Sequence, residues 1–364
     1  MLLPLIVLLY FLFLCLLYTG SCTFDRDIRI RSFIFIFSFL LLEVLRVYCQ
    51  QYFTDIPEYR DIFRDMLPLY KFTSSSYSLE YYNEGTIVPV EKGFLLFVSL
   101  FKCFSNDFGY FLTLVSIIEL SCFYVFCRKM KVSMYLSLPI YLSLTYLTFQ
   151  IGMLRQALAF CFFLFALLNI SNKYKYFGLI VLGVFFHKSM AFCSLLYFAK
   201  RSFSPIVITY CFIVSLVIYL LKIEFIQYFW AIIGMEDLNR VDHYFESEIV
   251  NSYLGVGFWE RVLLFGFMIS AYRYLYKRNL LNREYILLFN LGIFVILLQL
   301  VFFSSPVITS RLRYYIVIFP ILFLSIFVRN EIKRAQDRMI LQMPIYSYLV
   351  MYLFTLGAYI THPQ

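Results

Sequence analysis

The sequence predicts an all-α polytopic membrane protein with about ten transmembrane helices and one re-entrant hairpin. The first observation is composition: of 364 residues, 62% are hydrophobic and 15% are charged, and the mean hydropathy is +0.79. Soluble domains are about half apolar and about a quarter charged. The second observation is that apolar runs of spanning length recur along the chain, and the third is that basic residues cluster between them. Because lipid offers no hydrogen-bond partners to an open backbone, the spans are predicted to be helical.

The apolar runs place the spans. A helix needs about 20 apolar residues to cross the bilayer, within a range of about 17–25. The runs lie at 2–18, 32–48, 108–127, 132–149, 152–170, 205–221, 259–276, 284–303, 313–328 and 343–360. The first run lacks the basic flank of a cleaved signal peptide, so it is counted as a span. Since no linker, repeat or low-complexity segment divides the chain, residues 1–364 are predicted to form a single integral membrane domain.

The distribution of charge predicts which loops share a side of the membrane. Lys and Arg cluster in short segments at 26–31, 128–131, 173–175, 200–201, 277–283 and 329–338. Acidic residues concentrate in two long loops, 49–107 and 222–258. By the positive-inside rule, the basic segments face the cytoplasm and both long loops face the outer side. The same bias explains the net charge of +9, so no nucleic-acid partner is predicted.

Segment 176–199 is apolar, yet it carries His187 and Lys188 side by side near its middle. Basic segments precede and follow it. A single crossing would put every later basic segment outside, whereas a segment that enters and returns keeps all of them cytoplasmic. We therefore predict a re-entrant helical hairpin, or two half-spans, whose tip lines a cavity open to the outer side. A single tilted span with a snorkelling Lys188 is the alternative.

Further cationic and polar groups gather on the predicted outer side. Arg155 and Gln156 open the helix of 152–170, and Arg311 and Arg313 lie at the start of the helix of 313–328. A planar guanidinium binds phosphate through its fork of donors. Together with the hairpin tip, these residues predict an anion site facing the outer side. The alternative for Arg155 is that it snorkels to lipid headgroups.

The first long loop carries acidic candidates on the same side. Asp55, Tyr59 and Phe63 recur every four residues, as on one face of a helix. Glu91 opens an apolar stretch of about a dozen residues, which is too short to span and is predicted to lie in the membrane interface. The carboxylates of Asp55 and Glu91 therefore join the set of candidate site residues.

Common catalytic and metal motifs do not occur in the sequence. It contains no GxSxG, Walker A or HExxH pattern. Asp25 and Asp27 resemble the acidic pair of metal-dependent sugar transferases, but basic neighbours on the predicted inner side indicate a solvated loop. The cysteines show no CxxC spacing and are interpreted as small apolar residues. No metal or cofactor is expected.

The order and spacing of several motifs resemble the EpsG family of membrane polysaccharide polymerases. The strongest resemblance is GMLRQALAFCFFLFAL at 152–167, followed after a short basic loop by VLGVFFHKSMAF at 181–192. Asp55 with Tyr59 resembles the family's D-x3-Y pair, and the segment 91–94, EKGF, resembles its E-x-G-[YF] element. Arg311 with Tyr315 resembles its R-x3-Y element. The matches extend over about 55–315, most of the chain.

This resemblance implies a Wzy-type polymerase with a GT-C-like helical fold. Such an enzyme is expected to extend O-antigen, capsule or exopolysaccharide from repeat units linked to undecaprenyl diphosphate. It is also expected to be metal-independent and to act at the outer face of the bacterial cytoplasmic (inner) membrane. The implied partners are the lipid-linked glycan donor and acceptor, membrane lipid, and possible chain-length-regulator and flippase proteins.

The implied reaction gives each candidate a role. The lipid diphosphate is the leaving group of an already activated donor, so the enzyme must bind it, stabilise its charge and orient an acceptor hydroxyl. The cations predicted to bind diphosphate are Arg155, Arg311, Lys188 and Arg313. The predicted proton acceptor is His187, with the rival carboxylates Glu91 and Asp55. The predicted supporting residues are Gln156, Tyr59 and Tyr315.

Two other functions stay open from the sequence. One is a lipid-linked glycan ligase or another GT-C-like glycosyltransferase. A ligase uses the same donor with a different acceptor, and nothing in the residues separates acceptors. A transporter or flippase of lipid-linked sugars would use its central charges for passage. No repeat of the 152–199 unit occurs in the other half of the chain, which disfavours an inverted-repeat transporter. A structural His187 that caps the two halves of the hairpin is the alternative to a catalytic one.

Overall fold

The computed structural model describes residues 36, 40, 43, 55–71, 81–83, 86–88, 90–132, 141, 145, 152–223, 256–303 and 313–331. These residues belong to two compact units. The described residues up to Tyr197 lie in the first unit and those from Phe198 onward lie in the second. The prediction of a single integral membrane domain stays a prediction. The predicted spans 2–18, 32–48, 132–149 and 343–360 lie largely or wholly outside the described residues.

The first unit is built from helices and one small ribbon. Its elements are α1 (Asp55–Asp65), a 3₁₀ turn (Leu69–Lys71), β1 (Tyr81–Asn83), β2 (Thr86–Val88), α2 (Lys92–Phe101), α3 (Phe108–Lys129), α4 (Leu154–Leu168), α5 (Lys173–Phe186) and most of a 3₁₀ helix (Lys188–Lys200). The sequence predicted α1 and the short α2 within the 49–107 loop. It did not predict the ribbon, in which Tyr81 pairs with Val88 and Asn83 with Thr86 in antiparallel register. Tyr, Thr, Ile and Val favour that extended pairing.

Local signals in the sequence start the helices. Asp107 accepts a hydrogen bond from the backbone N–H of Tyr110 at 3.0 Å, and Asn172 accepts one from Lys175 at 3.1 Å. Side chains of this type satisfy backbone donors that have no partner in the first turn. The cap at Asn172 begins α5 directly after α4 has ended, so the two helices form an antiparallel pair.

One apolar cluster joins α1, α2, α3 and α4. Its buried members are Tyr59, Ile62, Phe63, Met66, Phe94, Leu95, Val98, Phe111, Leu112, Val115, Leu154 and Leu158. Aromatic edges contribute to the packing, as where Phe63 lies 5.3 Å from Phe111 between ring centroids. The cluster holds α1 and α2 against the start of α4.

The segment 176–199 reverses direction at His187. The Tyr176 hydroxyl donates to the carbonyl oxygen of Cys193 at 2.6 Å, and the rings of Tyr176 and Tyr197 lie 5.3 Å apart. A continuous helix would separate the ends of this segment by about 30 Å, so the segment is not one continuous helix. The return is made by a 3₁₀ helix rather than by a second α-helix. Its Met190 lies directly over Gly183, where a Cβ would come within 2.7 Å of the Met190 side chain.

The described residues of the second unit form four helices. They are α6 (Pro205–Leu220), α7 (Val256–Lys277), α8 (Arg283–Val301) and α9 (Phe319–Glu331), the last preceded by a helical turn at 313–316. Asn290 on α8 donates to the carbonyl oxygens of Ala199 and Arg201 at 2.7 Å each. The rings of Phe212 and Phe265 stack at 3.7 Å and pack α6 on α7.

Six of the predicted spans coincide with described helices: α3, α4, α6, α7, α8 and the 313–331 segment. Among the described residues, α3 and α8 are each long and apolar enough to cross a membrane by length and composition. Shorter apolar helices are also present, among them α2, α4 and α6. The described part of the chain is therefore helical apart from one ribbon, as predicted. The number of spans and the GT-C-like arrangement stay predictions.

Candidate functional site

The antiparallel pair α4–α5 brings Arg155 and His187 to the same level. Arg155 lies in the first turn of α4 and His187 directly follows α5. Both are 16 residues from position 171, in the connection between the helices. Since antiparallel helices rise equally per residue, positions equidistant from the connection meet side by side. The 32-residue separation of Arg155 and His187 therefore places both side chains at the same end of the α4–α5 pair.

Helix α2 brings a carboxylate to these two residues. Glu91 is the residue that precedes α2, and it has an extended backbone conformation with φ −64° and ψ 130°. Its Oε2 accepts a hydrogen bond from Arg155 Nη1 at 2.8 Å. Its Oε1 lies 3.0 Å from His187 Nδ1 and also accepts from the backbone N–H of Lys188 at 3.3 Å. Glu91 therefore joins residues that lie far from it in the sequence.

The three side chains are shielded from solvent to different degrees. The side chain of Glu91 is 8% exposed, that of Arg155 is 23% exposed and that of His187 is 15% exposed. A carboxylate buried to this extent needs compensation by charge and hydrogen bonds. Arg155 supplies the charge, and His187 with the Lys188 backbone supplies the remaining donors. Arg155 and His187 retain access to a ligand.

Tyr59 on α1 holds the other side of Arg155. The Tyr59 hydroxyl lies 3.5 Å from Arg155 Nε, a long hydrogen bond, and the guanidinium carbon lies 5.8 Å from the centre of the Tyr59 ring. Tyr59 is itself fixed by an edge-to-face contact with Phe94 at 5.6 Å. Burial raises the pKa of Tyr59, although Arg155 opposes the shift. The phenol is therefore neutral at physiological pH and orients the guanidinium without adding charge.

Glu91 is ionised throughout the physiological range. Burial by itself would raise the pKa of Glu91, but hydrogen bonding with His187 and the charge of Arg155 outweigh it. The pKa is lowered from 4.5 to about 2. A carboxylate that accepts several hydrogen bonds and faces a cation is expected to shift in this direction. A group with so low a pKa is a weak proton acceptor at neutral pH.

The contact with Glu91 assigns a tautomer to His187. A carboxylate accepts hydrogen bonds and cannot donate them when ionised, so the proton of a neutral imidazole lies on Nδ1. The other nitrogen, Nε2, then carries a lone pair. Among the described residues, no hydrogen bond to Nε2 is found. An imidazole oriented by a carboxylate in this way can accept a proton from a substrate.

Arg155 has donors beyond those that Glu91 and Tyr59 engage. A guanidinium carries five N–H groups, and the contacts above account for one on Nη1 and one on Nε. The remaining donors are suited to oxygen atoms of an anion. The Lys188 side chain is exposed while its backbone is fixed on Glu91. The geometry thus combines an oriented imidazole with a guanidinium, and the residue that follows the imidazole carries a second cation.

Two further predicted site residues, Asp55 and Gln156, belong to the first unit. Asp55 is exposed and lies one helical turn before Tyr59, which itself supplies the contact with Arg155. Gln156 is buried, with 1% of its surface exposed. The structure therefore brings together Glu91, Arg155, His187 and Tyr59, with Lys188 beside them.

The predicted site residues of the second unit are only partly described. Arg311 lies outside the described residues. Arg313 is half-buried in the helical turn before α9, and Tyr315 is buried, with 1% exposed. Their predicted roles toward a diphosphate stay predictions. Asp25 and Asp27 lie outside the described residues.

Sequence reasoning missed two groups that the structure makes prominent. The ammonium of Lys102 donates to the carbonyl oxygens of Phe63, Arg64 and Met66 at 2.9, 3.0 and 2.6 Å, so it ties the end of α1 to the end of α2. Glu119, in the middle of α3, is fully buried and receives a hydrogen bond from the Tyr141 hydroxyl. A carboxyl inside an otherwise apolar span is a signal that the sequence carries. In the described part of the chain, no group of three or more His, Cys, Asp or Glu residues is arranged to hold a metal ion.

Comparison with known proteins gives one match. A family model described as the EpsG family matches residues 31–361, nearly the whole chain. No curated protein and no solved structure matches. The matched range includes α1, α2, α4 and α5, and so contains the whole Glu91–Arg155–His187 cluster.

Proposed function

Because the chain belongs to the EpsG family of membrane proteins of polysaccharide biosynthesis, we propose that it is a Wzy-type polymerase. Its substrates are oligosaccharide repeat units linked to undecaprenyl diphosphate, and it acts at the outer face of the cytoplasmic membrane. The family is associated with glycosyltransferase-like polymerase activity on lipid-linked sugars. The observation that carries the proposal is the bridge that Glu91 makes between Arg155 and His187.

The donor is held by its diphosphate. Arg155 offers the guanidinium donors that Glu91 and Tyr59 leave over, and the Lys188 ammonium adds a second cation next to the site. Diphosphate oxygens accept from a guanidinium fork at short distance, and such charge-assisted bonds strengthen as negative charge develops on the leaving group. Arg311 and Arg313 are proposed as further cations toward the same diphosphate. Support for that step comes from the R-x3-Y resemblance.

His187 activates the acceptor. Its Nε2 takes the proton of an acceptor hydroxyl as that oxygen forms a bond to the anomeric carbon of the donor sugar. The bond from the anomeric carbon to the diphosphate oxygen breaks, and undecaprenyl diphosphate leaves with both electrons of that bond. The proton remains on His187 and is released to solvent before the next cycle. The Glu91 carboxylate balances the imidazolium charge while the proton is there.

Glu91 is proposed to orient His187 rather than to act as the base. Each of its two oxygens is engaged, one by Arg155 and the other by His187 and Lys188. Its pKa of about 2 also makes it a poor proton acceptor. We assign a supporting role to Asp55, the other rival, because it is exposed and lies one helical turn before Tyr59, which makes the contact with Arg155. Both assignments refine the roles that the sequence left open.

Polymerisation by purified protein tests the proposal. The assay uses protein in nanodiscs with lipid-linked repeat units, and it reads out the ladder of products. His187→Gln removes the base and is expected to lower the rate about 10²–10⁴-fold, with folding checked by thermal melting. The chain has three histidines, so His243→Gln and His362→Gln are matched controls. Near-full turnover of His187→Gln, with loss of turnover in Asp55→Asn, would move the base to the outer loop.

A further inference from the structure

Helix α2 meets the end of α5 at a contact that leaves no room for a side chain. A Cβ built on Gly93 would lie 2.5 Å from the carbonyl oxygen of Phe185 and 2.8 Å from its carbonyl carbon. Both atoms belong to the backbone, so a change of rotamer cannot relieve the overlap. Gly93 is two residues after Glu91, and Phe185 is two residues before His187. The close contact therefore lies directly behind the bridge between Glu91 and His187.

The overlap that a side chain at position 93 would create is large enough to break the hydrogen bond between Glu91 and His187. Ordinary contact for a Cβ begins at 3.4 Å, so a methyl group at position 93 would push α2 back by about 0.9 Å. A displacement of that size along the line from Glu91 Oε1 to His187 Nδ1 would lengthen their 3.0 Å separation to about 3.9 Å. A hydrogen bond is lost at that distance. The absence of a side chain at position 93 thus decides whether the carboxylate reaches the imidazole.

We propose that Gly93 is a positioning residue: it seats the backbone of α2 on the Phe185 carbonyl and thereby holds Glu91 against His187 in the geometry that fixes the imidazole tautomer. The catalytic part of this inference rests on the proposed function, but the geometric part does not. It concerns a contact between two helices and the state of one histidine, and both can be measured without substrate.

Another glycine on the same pair of helices gives a matched control. Gly178 lies within α5, and a Cβ there would meet no atom within 4 Å. Gly178→Ala adds the same methyl group to a helix without disturbing a contact, and alanine favours helix formation. Gly178→Ala is expected to keep wild-type turnover and stability, whereas Gly93→Ala changes the site.

The experiment reads the tautomer of His187 directly. In a background with His243→Gln and His362→Gln, His187 is the only histidine of the chain. The ¹⁵N spectrum of histidine-labelled protein in nanodiscs then reports which ring nitrogen carries the proton. In the wild-type site at pH 8, we expect the Nδ1–H form. In Gly93→Ala we expect that form to be lost, with a fall of at least about tenfold in kcat and little change in KM for the lipid-linked donor.

The outcomes separate the two proposals. A changed tautomer with reduced turnover supports both, and a changed tautomer with unchanged turnover supports the positioning role while overturning His187 as the base. An unchanged tautomer in folded Gly93→Ala protein overturns the positioning role, whatever the turnover. If Gly93→Ala does not fold, Glu91→Asp serves instead, because it shortens the carboxylate and leaves the helix contact intact. A seated α2 cannot follow the shorter side chain, so the Nδ1–H signature must be lost, and its retention would overturn the inference.

Discussion

Replacing Glu91 by Gln tests how strongly the ion-pair bridge stabilises the fold. The pKa of Glu91 falls from 4.5 to about 2 in the folded protein. A pKa difference of one corresponds to about 1.4 kcal/mol, so the ionised carboxylate contributes about 3 kcal/mol to the free energy of unfolding at pH 7. Glu91→Gln removes the charge but keeps the shape of the side chain. It leaves the partly buried Arg155 without its anion, and we expect a loss of about 3 kcal/mol.

The same reasoning fixes the pH dependence of that loss. The folded-state pKa of Glu91 lies below its unfolded value, so its contribution is fully present above about pH 4.5 and is lost as the pH falls toward about 2. At pH 3, between the two pKa values, roughly half of it remains. The difference in stability between wild type and Glu91→Gln should therefore be about half as large at pH 3 as at pH 7.

SDS titration of protein in mixed micelles measures both values. Glu58→Gln, which neutralises an exposed carboxylate on α1, is the control and should change stability by less than about 1 kcal/mol. A Glu91→Gln variant that differs from wild type no more than this control at pH 7 would refute the bridge. So would a difference of 3 kcal/mol that is the same at pH 3 and pH 7, because it could not arise from ionisation of Glu91.

Two further predictions concern Arg155 in the site and Lys102 at the far end of α2. Arg155→Lys keeps the charge beside Glu91 but loses the planar fork of donors. We therefore expect kcat/KM for the lipid-linked donor to fall about 10–100-fold, while membrane insertion and melting temperature are retained. Equal turnover of wild type and variant would contradict diphosphate binding by Arg155. Lys102→Met keeps the aliphatic stem but loses three hydrogen bonds to carbonyl oxygens at the end of α1. In the same SDS titration, we expect its free energy of unfolding to be lower by about 1–2 kcal/mol. The exposed Lys71→Met is the control for the second variant, and an equal effect of both lysine changes would contradict the capping role of Lys102.

Much of the class of this protein could be predicted from the sequence because hydropathy and charge are local properties. The apolar runs give the helices α3, α4, α6, α7 and α8 within a few residues. The basic segments on either side of 176–199 predicted a chain reversal, and the contact between Tyr176 and Cys193 shows that reversal. Motif order also predicted the family that the comparison found.

The composition of the site followed partly from the sequence. Arg155 and His187 were predicted to share one anion site because the charge pattern put both on the same side of the membrane. Glu91 and Tyr59 were named as candidates, but their partners were not. Each lies in a loop whose path depends on the apolar cluster of α1, α2, α3 and α4.

Only the tertiary structure decided which candidates contact one another. Glu91 was a rival to His187 as a base when each was considered alone. The packing of α2 on α5, at the contact between Gly93 and Phe185, places the carboxylate between Arg155 and His187 and so lowers its pKa. An ion pair forms or fails over distances of about an ångström, and that precision comes from side-chain packing between segments remote in the chain. The pattern of residue types along one segment does not specify distances to that precision.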